Sequence, residues 1–154
     1  MKDIIYLSGD ATYPRASGNK VIAHICNDKG AWGGGFVLAI SNRWSKPEIL
    51  YKEWVKRGEG KLGSIQFVPV EEDIVIANMI AQKGFSSIFN PVPLRYEALR
   101  DCLKQLSNSI RENEVSVHMP RIGCGIAKEK WEKVEPIIKE TLCENDIQVY
   151  VYDL

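Results

Sequence analysis

The chain has 154 residues and no net charge, with 20 Lys and Arg against 20 Asp and Glu; this size suits one compact domain over residues 1–154, able to bury a core without disulfides or metal. The balance excludes the global field that draws a protein to nucleic acid or to a membrane surface, so an anionic ligand has to be held by local geometry. No apolar run reaches bilayer-spanning length, and the expectation is a cytosolic protein with no membrane partner and no direct sequence-specific binding of nucleic acid.

In chain order, "MKDIIYLSGD" places a charged pair before a short strand, "DIIYL" (3–7), where a signal peptide would need a long apolar core. "VIAHIC" (21–26) is a second strand and runs into "NDKGAWGGG" (27–35). Helices are expected over 34–44 and 47–57, followed by strands "SIQFVPV" (64–70) and "DIVIANMI" (73–80). A helix over 93–113 carries Leu94, Ala98, Leu99, Cys102, Leu103, Leu106 and Ile110 on one face, opposite Arg95, Arg100 and Lys104. After the strand "VSVHM" (115–119), the run "RIGCGIAKEKW" reads as a loop into a last helix over 132–144. That helix starts near Glu132 because Pro136 is tolerated in a first turn, where backbone N–H groups have no partner. The strand "IQVYVY" (147–152) completes an α/β alternation, and strands apolar nearly throughout imply helices on both faces of the sheet.

Two glycine-bearing loops, 27–35 and 121–127, therefore each follow an apolar strand and precede a helix. Such a turn makes a nest of backbone N–H groups backed by the positive end of a helix dipole, which suits phosphate, and two of them suit a diphosphate. Neither loop has the GxGxxG or GxxxxGK[ST] spacing. Either could instead be a tight turn between closely packed elements. Cys26, Cys102, Cys124 and Cys143 form no CxxC pair, so no metal site is expected and the thiols read as small buried residues.

Taken together, "LSGDAT" (7–12), "HICNDKGAWGGGFVLAI" (24–40), "MPRIGCGI" (119–126) and the final "VYVYDL" resemble the macrodomain family of ADP-ribose-binding modules, over almost the whole chain and in order. Within the family the chain is similar to the branch of the terminal ADP-ribose protein glycohydrolase and the fungal ADP-ribose 1″-phosphate phosphatase. The resemblance implies a three-layer α/β/α fold with a mixed sheet of about six strands and ADP-ribose or a derivative as ligand. It implies no cofactor, and ADP-ribosylated macromolecules are further candidate partners.

By the same resemblance, Asp10 accepts the adenine amino group and the backbone of Ala11 meets the ring, although Asp10 reads equally as a turn cap. Asn27 would reach the distal ribose. Gly33, Gly34 and Gly35 with Phe36 match the first phosphate loop, and Gly123, Cys124, Gly125 and Ile126 the second. Trp32 either walls the ribose pocket or anchors its loop to the core, and Tyr152 either lies near the adenine or continues an ordinary β alternation. His24 is the candidate general acid or base beside Asn27, against the reading of a buried core histidine. His118 has no assigned face, and Glu129 and Glu132 read as solvated or as acids at a helix start.

The chain departs from the glycohydrolase pattern at Ala127, where that enzyme has an aspartate, and its lysine falls at or beside Gln82, next to Lys83. Three readings stay open: hydrolysis of a small derivative such as ADP-ribose 1″-phosphate, a reader without turnover, and hydrolysis of ADP-ribosyl groups on protein or nucleic acid.

Overall fold

A computed structural model describes residues 1–125 and 129–154. In chain order its elements are β1 (Ile5–Ser8), β2 (Asn19–Asn27), α1 (Phe36–Arg43), α2 (Lys46–Lys56), β3 (Ile65–Glu71), β4 (Ile74–Gln82), α3 (Tyr96–Ile110), β5 (Val115–Pro120), α4 (Trp131–Thr141) and β6 (Val149–Asp153). The strands form one six-stranded sheet in the order β1-β6-β5-β2-β4-β3. β3 runs antiparallel to β4, and the other pairings are parallel, which makes the sheet mixed.

The period-two alternation of β2 sorts its side chains between two cores. Val21 and Ala23 join Leu99, Leu103, Leu106, Val134 and Ile138 of α3 and α4 on one face. Ile22 and Cys26 join Val37, Ile40, Tyr51 and Trp54 of α1 and α2 on the other. The result is the expected three-layer α/β/α arrangement, with the parallel strands covered on both sides.

The helix boundaries differ from the sequence expectation by one to three residues, and three of the helix starts have an identifiable cause. α1 begins at Phe36, not Gly34, because Gly35 sits at φ 79° and cannot belong to a right-handed helix. α3 begins at Tyr96, since Leu94 bridges to Gln82 beside the sheet and Arg95 is extended. It ends at Ile110. α4 begins at Trp131, so Pro136 lies inside the helix, beyond the first turn. The N–H that Pro136 lacks would have met the carbonyl of Glu132; both residues lie on the exposed side of α4, where water can serve that oxygen.

No helix among the described residues is long and apolar enough to cross a membrane.

Candidate functional site

The parallel strands β2, β4, β5 and β6 end on the same side of the sheet, where open α/β folds leave a crevice. A cleft of about 640 Å³ lies there. The turn after β1 contributes Asp10 and Ala11, β2 contributes His24 and Asn27, and β6 contributes Tyr152. Gly33, Gly34, Gly35 and Phe36 line it from the first glycine loop, and Gly123 and Gly125 from the second. Most of the residues singled out in the sequence therefore meet in one cavity. Trp32 and Cys124 are absent from its walls, and Ile126 and Ala127 lie outside the described residues.

Asp10 serves in both of the ways its sequence context allows. Its Oδ1 accepts the Thr12 amide and hydroxyl, both at 2.8 Å, which shapes the turn. Its second oxygen has no bonded partner among the described residues, so an acceptor is left at this end of the cleft. Beside it, the Tyr152 hydroxyl accepts the Arg15 amide at 2.8 Å and donates to His118 Nδ1 at 2.7 Å. That assignment leaves the proton of His118 on Nε2, facing the Ser116 hydroxyl at 2.8 Å. The His118 ring stacks on Tyr150 with centroids 4.8 Å apart. His118 is thus a buried support for Tyr152, and burial, aided by the charge of Lys20, pulls its pKa down to about 4.

Asn27 is the organiser of the first loop. Its Oδ1 accepts the amides of Lys29 at 2.9 Å and Ala31 at 3.1 Å, and its Nδ2 donates to the Ala31 carbonyl at 2.8 Å. The buried Tyr51 hydroxyl donates to the Asn27 carbonyl at 2.5 Å. One Nδ2 hydrogen remains for a ligand.

His24 lies in the cleft floor as a buried, neutral ring. It is 1 % exposed, and burial draws its pKa to about 4 against the opposing hydrogen bond to Asn78. The Asn78 amide donates to the Pro47 carbonyl and to Gln66 Oε1, which turns its Oδ1 toward His24 Nε2 at 2.5 Å. The proton therefore sits on Nε2, and Nδ1 is buried without a partner among the described residues. The candidate general acid or base is a neutral element of the cleft floor.

Trp32 resolves toward the anchoring alternative. It is 5 % exposed, donates to Ser41 Oγ at 2.7 Å, and packs its ring on Tyr51 and edge-on to His24. The loop is pinned to the core by Trp32, and the cleft surface is left to glycines and Phe36. At the helix that follows, Gly35 is the N-cap and no side chain caps it, so the first amides of α1 are available to an anion.

Gln82 lines the cleft, whereas the adjacent Lys83 is an exposed residue outside it. Of its two expected states, Glu129 takes the one at a helix start: it lies just before α4, its side chain is 8 % exposed, and it accepts from the Tyr96 hydroxyl. Sequence reasoning missed Arg121 and Phe85, both of which line the cleft. Arg121 is bidentate on Asp153, at 2.6 and 3.0 Å, and lies over the rings of Tyr6 and Trp131. Its presence inside "MPRIGCGI" was the available signal; nothing local marked Phe85. No cluster of three or more His, Cys, Asp or Glu among the described residues could hold a metal ion.

No protein-family model matches the chain. The chain is 42% identical over 153 residues to an ADP-ribose glycohydrolase of Bos taurus, covering 98% of this chain and 91% of that protein. It is 31% identical over 159 residues to an ADP-ribose 1″-phosphate phosphatase of Lodderomyces elongisporus, covering 96% and 98%. It also matches the chromodomain-helicase-DNA-binding protein 1-like of Mus musculus at 29% identity over 97% of this chain, but spans only 17% of that protein. Among solved structures, a protein from Bacteroides thetaiotaomicron superposes with a TM-score of 0.94 at 52% identity, covering 99% of this chain and 100% of that one. A macrodomain protein from Streptomyces coelicolor does so with a TM-score of 0.87 at 45% identity, covering 99% of each. With this fold and these relatives, the chain belongs to the macrodomain family and is related in sequence and structure to its branch of ADP-ribose 1″-phosphate phosphatases and ADP-ribose glycohydrolases.

Proposed function

We propose that the cleft binds ADP-ribose and that the protein hydrolyses a small derivative of it, such as ADP-ribose 1″-phosphate. The observation that carries this reading is the meeting of both glycine loops in one cleft, with the half-used carboxylate of Asp10 at one end and Asn27 further along the strand ends. The adenine amino group bonds the second oxygen of Asp10, beside Tyr152. The diphosphate lies between Gly33–Gly35 and Gly123–Gly125, held by uncapped amides at the start of α1. The terminal ribose meets Asn27. A cavity of about 640 Å³ is of the size that encloses a ligand of this class.

Hydrolysis is supported by the names of two relatives, a glycohydrolase and a phosphatase. The described residues of the cleft offer positioning and charge stabilisation, with His24 held neutral in the floor. One observation favours a second reading, a binding module without turnover: Ala127 stands where the glycohydrolase pattern has its aspartate.

Calorimetric titration with ADP-ribose, followed by phosphate release from ADP-ribose 1″-phosphate, tests both. Binding with release supports the enzyme. Binding without release leaves the reader, and no binding rejects the cleft assignment. Gly34→Val is expected to keep the fold and abolish binding; unchanged affinity would refute the phosphate-loop assignment.

A further inference from the structure

Arg121 lines the cleft, directly after β5, and the function proposed above gives it no part. Its guanidinium is held from several sides. Nε and Nη2 donate to the two oxygens of Asp153, and the group lies 5.1 and 5.2 Å from the ring centroids of Tyr6 and Trp131. Tyr6 is itself fixed, since its hydroxyl accepts from Trp131 Nε1 at 3.0 Å and donates to Glu135. A side chain constrained in this way has little rotamer freedom left to lose when a ligand binds.

The same constraint leaves a defined set of donors. A guanidinium carries five N–H groups. Asp153 engages the edge formed by Nε and Nη2. The end formed by Nη1 and the second hydrogen of Nη2 has no acceptor among the described residues, and the side chain is 38 % exposed, so this end is accessible. Two parallel N–H groups at the end of a guanidinium match a pair of oxygens on one phosphoryl group.

The position of Arg121 says which part of a ligand it meets. β5 lies between β6 and β2 in the sheet. On one side of Arg121 its partner Asp153 adjoins Tyr152, at the adenine end. On the other side Gly123, two residues on, belongs to the diphosphate loop. In ADP-ribose the group that joins adenine to diphosphate is the adenosine ribose, which therefore lies against Arg121. The carboxylates of this region are already engaged: Asp153 holds the far edge of Arg121, and Glu135 accepts from Tyr6 and pairs with Lys139 at 3.4 Å. A second cation, Arg15, lies over the Tyr152 ring and donates to the Ser8 carbonyl, with no ion pair among the described residues. A neutral ribose hydroxyl offers the free end of Arg121 one ordinary acceptor. A phosphoryl group on that hydroxyl offers charged oxygens at matching spacing, and dinucleotide-binding folds accommodate a ribose 2′-phosphate with an arginine beside it.

We infer that Arg121 is a specificity-determining residue at the adenosine ribose, and that the cleft takes ADP-ribose derivatives phosphorylated on the 2′-oxygen of that ribose. The inference rests on the proposed occupancy of the cleft by ADP-ribose. Such a ligand is supplied by a reaction that removes or transfers the ADP-ribosyl part of a 2′-phosphorylated dinucleotide.

The test is calorimetric titration of ADP-ribose and of ADP-ribose 2′-phosphate into the wild type, Arg121→Gln and Arg121→Lys. The wild type is expected to bind the 2′-phosphate about tenfold tighter than ADP-ribose, with the difference shrinking as salt is raised. Arg121→Gln should bring the two affinities together by weakening the 2′-phosphate alone. Arg121→Lys keeps the charge and lacks the fork, so most of the preference should be lost there too. Equal or weaker binding of the 2′-phosphate by the wild type, with ADP-ribose still bound, overturns the inference alone. So does a preference that survives in both variants, or an equal loss for the two ligands, which would assign Arg121 to a group they share. Saturable binding of inorganic phosphate by itself, lost in Arg121→Gln, overturns it in favour of a site for the free anion. Failure of the wild type to bind either nucleotide rejects the cleft reading and the inference with it.

Discussion

Two strand–loop–helix units build the cleft from the same local plan, and they reach it by different physics. β2, its glycine loop and α1 form one; β5, its glycine loop and α4 form the other. Each strand carries a buried histidine and each loop several glycines. In the first unit the loop is shaped by side chains: Asn27 holds it from within and Trp32 ties it to the core. Gly33 has no atom of the described residues outside its chain neighbours within 4 Å of where a Cβ would stand, so its smallness matters to a ligand. In the second unit Gly123 sits at φ 81°, and a Cβ there would lie 2.9 Å from Leu94 and 3.3 Å from Val134. That glycine is demanded by packing and backbone conformation. The histidines differ likewise: His118 has both ring nitrogens bonded, whereas His24 keeps one nitrogen without a partner among the described residues. Gly33 is thus open toward the cleft and Gly123 is closed on the core, while Gly125 beside it is as open as Gly33.

Acid should break both units together, with the largest effect. Folding lowers the pKa of His24 and of His118 from 6.5 to about 4. Each neutral ring contributes stability that is complete above about pH 6.5 and is lost as pH falls toward 4, because the unfolded chain binds protons the folded one refuses. About 3 kcal/mol per histidine is at stake, and urea unfolding from pH 7 to 4 should show the midpoint falling through that window. A midpoint flat from pH 6.5 to 4.5 would contradict the buried, neutral assignment.

Gly123→Ala separates the units next. We expect a loss of about 3 kcal/mol in stability, from the clash with Leu94 and the left-handed backbone, read by the same unfolding assay. Asn27→Ala attacks the first unit at its organiser and should cost about 2 kcal/mol, leaving the Lys29 and Ala31 amides without their acceptor. It should also weaken ADP-ribose binding. The smallest structural effect belongs to Gly33→Ala: stability within about 0.5 kcal/mol of wild type, with ADP-ribose affinity reduced on the order of tenfold by the methyl group in the ligand's path. If Gly33→Ala binds as well as wild type while losing stability, the contrast between the loops is reversed.

Much of this was legible in the sequence because it depends on short-range pattern. Alternation in "VIAHIC" and "VSVHM", the helical repeat from Leu94 to Ile110, and glycine loops placed between strand and helix define an α/β chain with two candidate anion nests. The misplacements had tertiary causes. Pro136 was assigned to a first turn on local rules, yet α4 extends past it because the affected carbonyl faces water. Leu94 continued the apolar face of α3 by periodicity, and its bridge to Gln82 takes it out of the helix.

By itself, then, the sequence determined the layer order and the residues able to approach a phosphate, since spacing and residue type decide those within a few positions along the chain. Only the tertiary structure decided which of these residues face the cleft. Trp32 was drawn into the core by Ser41 and Tyr51, and His24 was left as a buried ring of the cleft floor by Asn78, partners remote in sequence. Phe85 was brought to the far end of the cleft by the position of β4 in the sheet. A side chain's exposure is set by what packs over it, and that is settled by contacts no local window contains.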